Sequence, residues 1–280
     1  MKRAIQNYTI ALNRQETKFE VIGDHTLKIK PLPKLDQIDK VLLHISSDDK
    51  LMGIYTTKRQ CYFYEKRNWT FHSNFPGYSF KLACSLSKGT CLIGIGEIQF
   101  LSQSATNWVQ RKLVQQISID YGLPISNNEM VIMSGGRFNC HRNLKKFNFD
   151  TMKIEPFIKL KIPRSCPAIC LYNNKLFITG GLSKDGEDIQ DRIVSTSTEI
   201  ISLSDLSVEQ AADMNLCRAG HGMAIIRPKS GKPKMIVFGG NSGDPRVEEW
   251  NDEEKKWTFS NLTTSETLIL FSYCYKSLVE

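Results

Sequence analysis

Val131-Ile-Met-Ser-Gly135-Gly136, Leu176-Phe-Ile-Thr-Gly180-Gly181 and Ile236-Val-Phe-Gly239-Gly240 are three versions of one pattern, a short apolar run stopped by two glycines. β-Branched and aromatic residues favour a pleated strand, and glycine takes backbone conformations closed to other residues. Each version therefore predicts a strand that ends at an abrupt turn. The second glycines stand 45 and 59 residues apart, from 136 to 181 and from 181 to 240. Cys91-Leu-Ile-Gly94-Ile-Gly96 is a weaker copy 40 residues before the first. Repetition at this period suits a unit of four short strands.

A second mark repeats independently. Tyr62 with Trp69 and Trp250 with Trp257 are aromatic pairs seven residues apart around a polar turn. Leu101 with Trp108, Leu12 with Phe19, Phe147 with Ile154 and Ile201 with Val208 share the frame, which makes six candidate hairpins. A diglycine followed by an aromatic and then a tryptophan seven later is similar to the kelch repeat, whose fold is a propeller blade. Arg218 to Trp257 is the fullest match: Arg-Ala-Gly-His-Gly-Met-Ala opens the unit, Met235 to Gly240 forms its second strand, and Trp250 and Trp257 flank its last turn. Arg164 to Gly181 matches the first half. The clear repeats cover residues 119–262. Residues 41–118 hold weaker blades, where Lys50-Leu-Met-Gly-Ile-Tyr-Thr56 fills the diglycine slot without its glycines.

Laid end to end, the units leave a hairpin at 4–22 and a segment at 264–279 that complete each other. The expectation is an all-β, single-domain (1–280), six-bladed β-propeller of four-stranded kelch-like blades, closed by pairing N-terminal and C-terminal strands. Leu32, Leu35, Ile38, Val41, Leu42 and Ile45, and the stretch from Trp108 to Ile117, have a spacing that also fits inserted helices. Ser183 to Ser197, polar and acidic, reads as an extended loop on one rim.

The 280 residues carry a net charge of +8, scattered without a basic run, zinc-finger spacing or RNA-recognition signature, which disfavours nucleic acid. No apolar stretch follows the basic N-terminus and none is long enough to span a membrane, so the expected setting is the cytoplasm, with the nucleus as alternative. The cysteines in apolar strand segments, at 84, 91, 166, 170 and 274, read as reduced core thiols; no metal site or cofactor is expected. Phosphate-loop, nucleophile-elbow and HExxH patterns are absent.

Loops after the second strands and loops between blades emerge on one face of such a propeller. That rim would gather Arg137, Arg142, Arg164, Arg218, His221 and Arg246, and converging arginines suit carboxylates. The residues thus point to a monomeric, non-catalytic interaction module that takes an acidic segment of a partner protein. Solvated charges paired with Asp185, Asp188 and Asp244 are the plainer reading of the same loops. The resemblance implies adaptor roles, in ubiquitin ligation or on actin; the repeats start near residue 1, leaving no room for a BTB or F-box region. The alternative is a sugar-converting enzyme of the epimerase or mutarotase type, with Arg164, Arg218, His221 and Glu266 in the central funnel. Gly135, Gly136, Gly180, Gly181, Gly239, Gly240, Tyr62, Trp69, Trp250 and Trp257 are assigned to the repeat itself.

Overall fold

The apolar runs before the glycines are strands, and each lies second in an antiparallel sheet. The structure, a computed structural model, describes residues 9–13, 18–22, 41–46, 50–77, 80–86, 89–102, 105–113, 119, 121–133, 140–184, 192–228, 231–264 and 270–274, and they hold 25 strands and no helix. Strands β1 (Thr9–Asn13) and β2 (Lys18–Ile22) form a hairpin. Blade 1 is β3 (Val41–Ile45), β4 (Leu51–Tyr55), β5 (Gln60–Glu65) and β6 (Asn68–Asn74). Blade 2 is β7 (Leu82–Leu86), β8 (Gly89–Ile93), β9 (Glu97–Ser102) and β10 (Val109–Lys112). Blade 3 is β11 (Tyr121–Pro124), β12 (Glu129–Met133), β13 (His141–Asn148) and the long β14 (Lys153–Ser165). Blade 4 is β15 (Ala168–Tyr172), β16 (Lys175–Thr179), β19 (Thr198–Ser202) and β20 (Val208–Ala211). Blade 5 is β21 (Gly222–Ile226), β22 (Lys234–Phe238), β23 (Arg246–Asn251) and β24 (Lys256–Thr263).

These sheets are arranged as a β-propeller with five four-stranded blades, which corrects the expected six. A sixth sheet has three strands, in the order β2-β1-β25. The C-terminal segment supplies one described strand, β25 (Leu270–Cys274), where the first half of a blade takes two. β25 pairs with β1 and lies against β3, so both chain ends meet in one sheet beside blade 1. Of the stretches that also fitted helices, Val41–Ile45 and Val109–Lys112 are strands; Leu32, Leu35, Ile38 and residues 114–117 lie outside the described residues.

First strands stand next to one another, β3 by β7, β7 by β11, β11 by β15 and β15 by β21, and the apolar core fills the gaps between blades. Leu42, Met52 and Ile54 of blade 1 pack with Leu92, Leu101 and Trp108 of blade 2. Phe177 of blade 4 packs with Met235, Val237 and Trp250 of blade 5. Second strands are buried on both faces and read as unbroken apolar runs for that reason. The seven-residue spacing marks cross-strand partners: Leu12 faces Phe19, Phe147 faces Ile154, Ile201 faces Val208 and Trp250 faces Trp257. Tyr62 and Trp69 depart from it, because the two-residue turn at Lys66 and Arg67 pairs Trp69 with Tyr64 and Tyr62 with Phe71. Tryptophan side chains also tie blades together. Trp257 Nε1 donates to Thr198 Oγ1 at 3.0 Å and Trp108 Nε1 to Ser73 Oγ at 2.9 Å.

Gly180 and Gly181 have φ of +56° and +91°, which explains the diglycine. A Cβ on Gly180 would collide with the Arg218 carbonyl oxygen of the next blade, and one on Gly181 would lie 2.6 Å from Ser165 O. The turn thus lets the inter-blade loops press against the strand end. Gly239 and Gly240 repeat it; Gly135 and Gly136 lie outside the described residues.

The residue before Thr179, Phe238 and Ile93 fixes a structurally equivalent position on each third strand, because Ile178 faces Glu199, Val237 faces Glu248 and Leu92 faces Gln99. Glu199 accepts backbone N–H bonds from Lys161 and Ile162, and Glu248 from Asn215 and Leu216. Gln99 has no such donors. The corresponding loop offers Phe75, whose N–H goes to Arg59 O, and Pro76, which has none. Gln99 is fully buried with both ends of its amide unbonded. Gln99→Met keeps the volume and removes the orphaned polar atoms, so it should stabilise the fold by about 1 kcal/mol, raising Tm by roughly 2–4 °C. A lower Tm in a thermal melt would show that the amide is satisfied in solution.

Candidate functional site

The arginines assigned to the rim separate into different environments. Arg164, four residues before β15, and Arg218, four before β21, are fully buried, with 0% of either side chain exposed. Arg164 Nη2 lies 2.9 Å from Glu199 Oε2, and its Nη1 donates to Gly180 O at 2.8 Å and Ser197 O at 2.9 Å. Arg218 repeats the arrangement: Nε lies 3.3 Å from Glu248 Oε1, Nη1 donates to Gly239 O at 2.8 Å and Nη2 to Arg246 O at 2.6 Å. Burial lowers the pKa of both guanidiniums, and the glutamates oppose it. Each arginine ties its diglycine turn to the blade's third strand. Neither is open to a partner, which corrects the rim assignment.

His221 is 3% exposed, with Nε2 at 2.8 Å from Thr179 Oγ1, so it joins blade 5 to blade 4 rather than facing solvent. Burial, with the charges of Arg218 and Arg164 behind it, pushes its pKa down to about 3. Arg246 is exposed but held within its own loop. Its Nη2 lies 2.7 Å from Asp244 Oδ2 and its guanidinium sits 4.2 Å from the Phe259 ring centre. The Arg246 hydrogen bonds hold the Asp244 carboxyl down at about 2. Arg137, Glu266, Asp185 and Asp188 lie outside the described residues. Of the four groups named for a sugar-converting site, three are thus walled into the blades and Glu266 is not described.

Arg142 is different. It is exposed on β13 at the mouth of a groove of about 380 Å³ between blades 3 and 4. The groove is bounded by Lys161 to Pro163 of β14, Ser195 to Ser197 and Asp213 of blade 4, and a strand pair that the sequence did not announce. The stretch read as a loop from Ser183 to Ser197 contains β17 (Leu182–Lys184) and β18 (Arg192–Val194), around residues 185–191 that lie outside the described residues. β17 pairs with the end of β14, Ser183 opposite Arg164 and Leu182 opposite Ser165, so blade 4's loop extends blade 3 into a six-stranded sheet.

Two cations line this groove. No described carboxylate lies within ion-pair distance of Arg142 or of Lys161, which is exposed. Among the described residues of the lining the acid is Asp213, which accepts from Thr196 Oγ1 at 3.1 Å. Ser195 and Ser197 bond each other through their hydroxyls at 2.6 Å. The volume falls within the roughly 300–1,000 Å³ typical of ligand clefts. Sequence reasoning found Arg142 and missed Lys161, whose place depends on the unusual length of β14.

The seven cysteines with described side chains are all free thiols, and no metal-binding cluster occurs among the described residues. No family model matches the chain, and no curated protein matches it.

Proposed function

We propose that this chain is a kelch-like propeller that acts as a protein-interaction module, taking an acidic segment of a partner in the groove between blades 3 and 4. The observation that carries the reading is a pair of cations, Arg142 and Lys161, that no described carboxylate pairs, at a groove whose described acid, Asp213, is engaged by Thr196. Arginine presents a planar fork that bonds both oxygens of a carboxylate, and a lysine beside it adds positive field without a fixed geometry. The kelch-like reading is supported by the diglycine turns, the cross-strand aromatic pairs and the joining of both termini in one sheet. Free thiols in the blade walls accord with a reducing, cytoplasmic or nuclear setting.

The test is capture with the double variant Arg142→Glu, Lys161→Glu. Both side chains are exposed, so its melting temperature should stay within about 2 °C of wild type, since surface changes cost little. Bound proteins identified by mass spectrometry should include an acidic-motif protein present with wild type and lost from the variant. An identical set on both proteins would sink the reading.

A further inference from the structure

The groove ends at a strand edge. Among the described strands β18 pairs with β17 alone and is the last of the six-stranded sheet. Ser195 N–H bonds Gly181 O at 2.9 Å, which sets the parity of the pair: residues 195 and 193 turn their backbone groups toward β17. Arg192 and Val194, alternating with them, turn their N–H and C=O groups away from it, to the side where no described strand pairs. Ile193, between them, is 51% exposed, and with Val194 it lines the groove that holds Arg142 and Lys161.

We propose that the acidic segment binds as an added β-strand along β18. Its backbone would bond Arg192 and Val194, an apolar side chain would cover Ile193, and its carboxylates would face Arg142 and Lys161. The inference rests on the groove reading above and specifies how the segment lies in it. Strand addition draws affinity from main-chain hydrogen bonds and specificity from alternate side chains. The fold already uses the device once, since β17 is held on β14 by two residue pairs. A second copy of this chain suits the edge poorly, because antiparallel pairing of two β18 strands would set two cationic grooves against each other.

The experiment is a selection of displayed random nine-residue peptides on the immobilised full chain, followed by synthesis of the most enriched peptide with its backbone amides N-methylated one at a time. The expected result is an acidic peptide with an apolar residue between its acids. Its binding should fall roughly tenfold on methylation at alternate positions and hold at those between. It should also weaken on Val194→Pro, which removes an N–H that no described strand uses, and exchange of the Val194 amide should slow when the peptide binds. N-methylation leaves the protein untouched, so a misfolded proline variant cannot decide the outcome. Enriched acidic peptides that need Arg142 and Lys161 but ignore N-methylation would overturn strand addition and leave the groove reading standing. Selection of peptides without acids, or of none, would overturn both.

Discussion

Arg218→Met should lower the unfolding free energy by about 3–5 kcal/mol, and Arg164→Met by a similar amount, the range seen when one partner of a buried ion pair is removed. Glu248 would keep its N–H bonds from Asn215 and Leu216 but lose its counter-charge, and the carbonyls of Gly239 and Arg246 would lose their donor. The double variant Arg218→Met, Glu248→Met removes the orphaned charge but leaves the N–H groups of Asn215 and Leu216 and the carbonyls of Gly239 and Arg246 without partners, so it should recover part of the loss and not all of it. Denaturant titration of the four proteins closes the cycle. A single-variant loss below about 1 kcal/mol, typical of exposed pairs, would mean that the pair is solvated and the arginine is available at the rim after all.

The same pair shows where sequence reading stops. The repeat frame placed Arg164 and Arg218 at the mouth of each blade, and the structure agrees on their position along the chain. Whether an arginine just before a first strand points outward or back into the blade depends on a partner 35 or 30 residues away. A signal existed. Glu199 is a lone acid inside a strand whose neighbours, Thr198 and Ile200, are buried, and an isolated acid in such company has to be paired; at Glu248 the mark is blurred by Glu249 beside it. Arg142 carries no such mark, and the described acids lie out of its reach.

Other differences have equally local causes. The seven-residue spacing predicts cross-strand partners where a four-residue turn joins the strands, as between Asn148 and Lys153 or Asn251 and Lys256, and fails at Tyr62, where the turn at Lys66 and Arg67 has two residues. The β17–β18 extension was invisible because a three-residue strand held by backbone bonds on another blade needs no apolar period of its own. The joining of the termini was legible because each half-hairpin kept its own pattern. The count of complete blades was not, since one strand at the C-terminal end resembles the start of two.

Between pH 7.5 and pH 5.5 the protein should lose about 2.7 kcal/mol of stability through two histidines, His221 and His44. His44 is 7% exposed, its pKa is pushed by burial to about 3, and its Nε2 lies 2.9 Å from Ser85 Oγ. Ser85 Oγ also lies 2.6 Å from Ile45 O, an acceptor only, so its proton goes there and His44 Nε2 serves as the donor. A protonated His221 carries N–H groups on both ring nitrogens, and nothing described accepts the one at Nδ1, close to two guanidinium charges. Both native pKa values lie below the unfolded value of 6.5, so the unfolded chain takes up protons first as the pH falls. The stabilisation is complete above pH 6.5 and is lost progressively from there toward pH 3, at about 1.4 kcal/mol per histidine over the stated interval. Carboxylates titrate mostly below this window. Denaturant midpoints at pH 7.5, 6.5 and 5.5 should therefore fall more steeply for wild type than for the double variant His44→Gln, His221→Gln, whatever the variant's starting stability. Parallel slopes would show that one or both imidazoles reach water in the native state and that the joints between blades 1 and 2 and between blades 4 and 5 are looser than the packing implies.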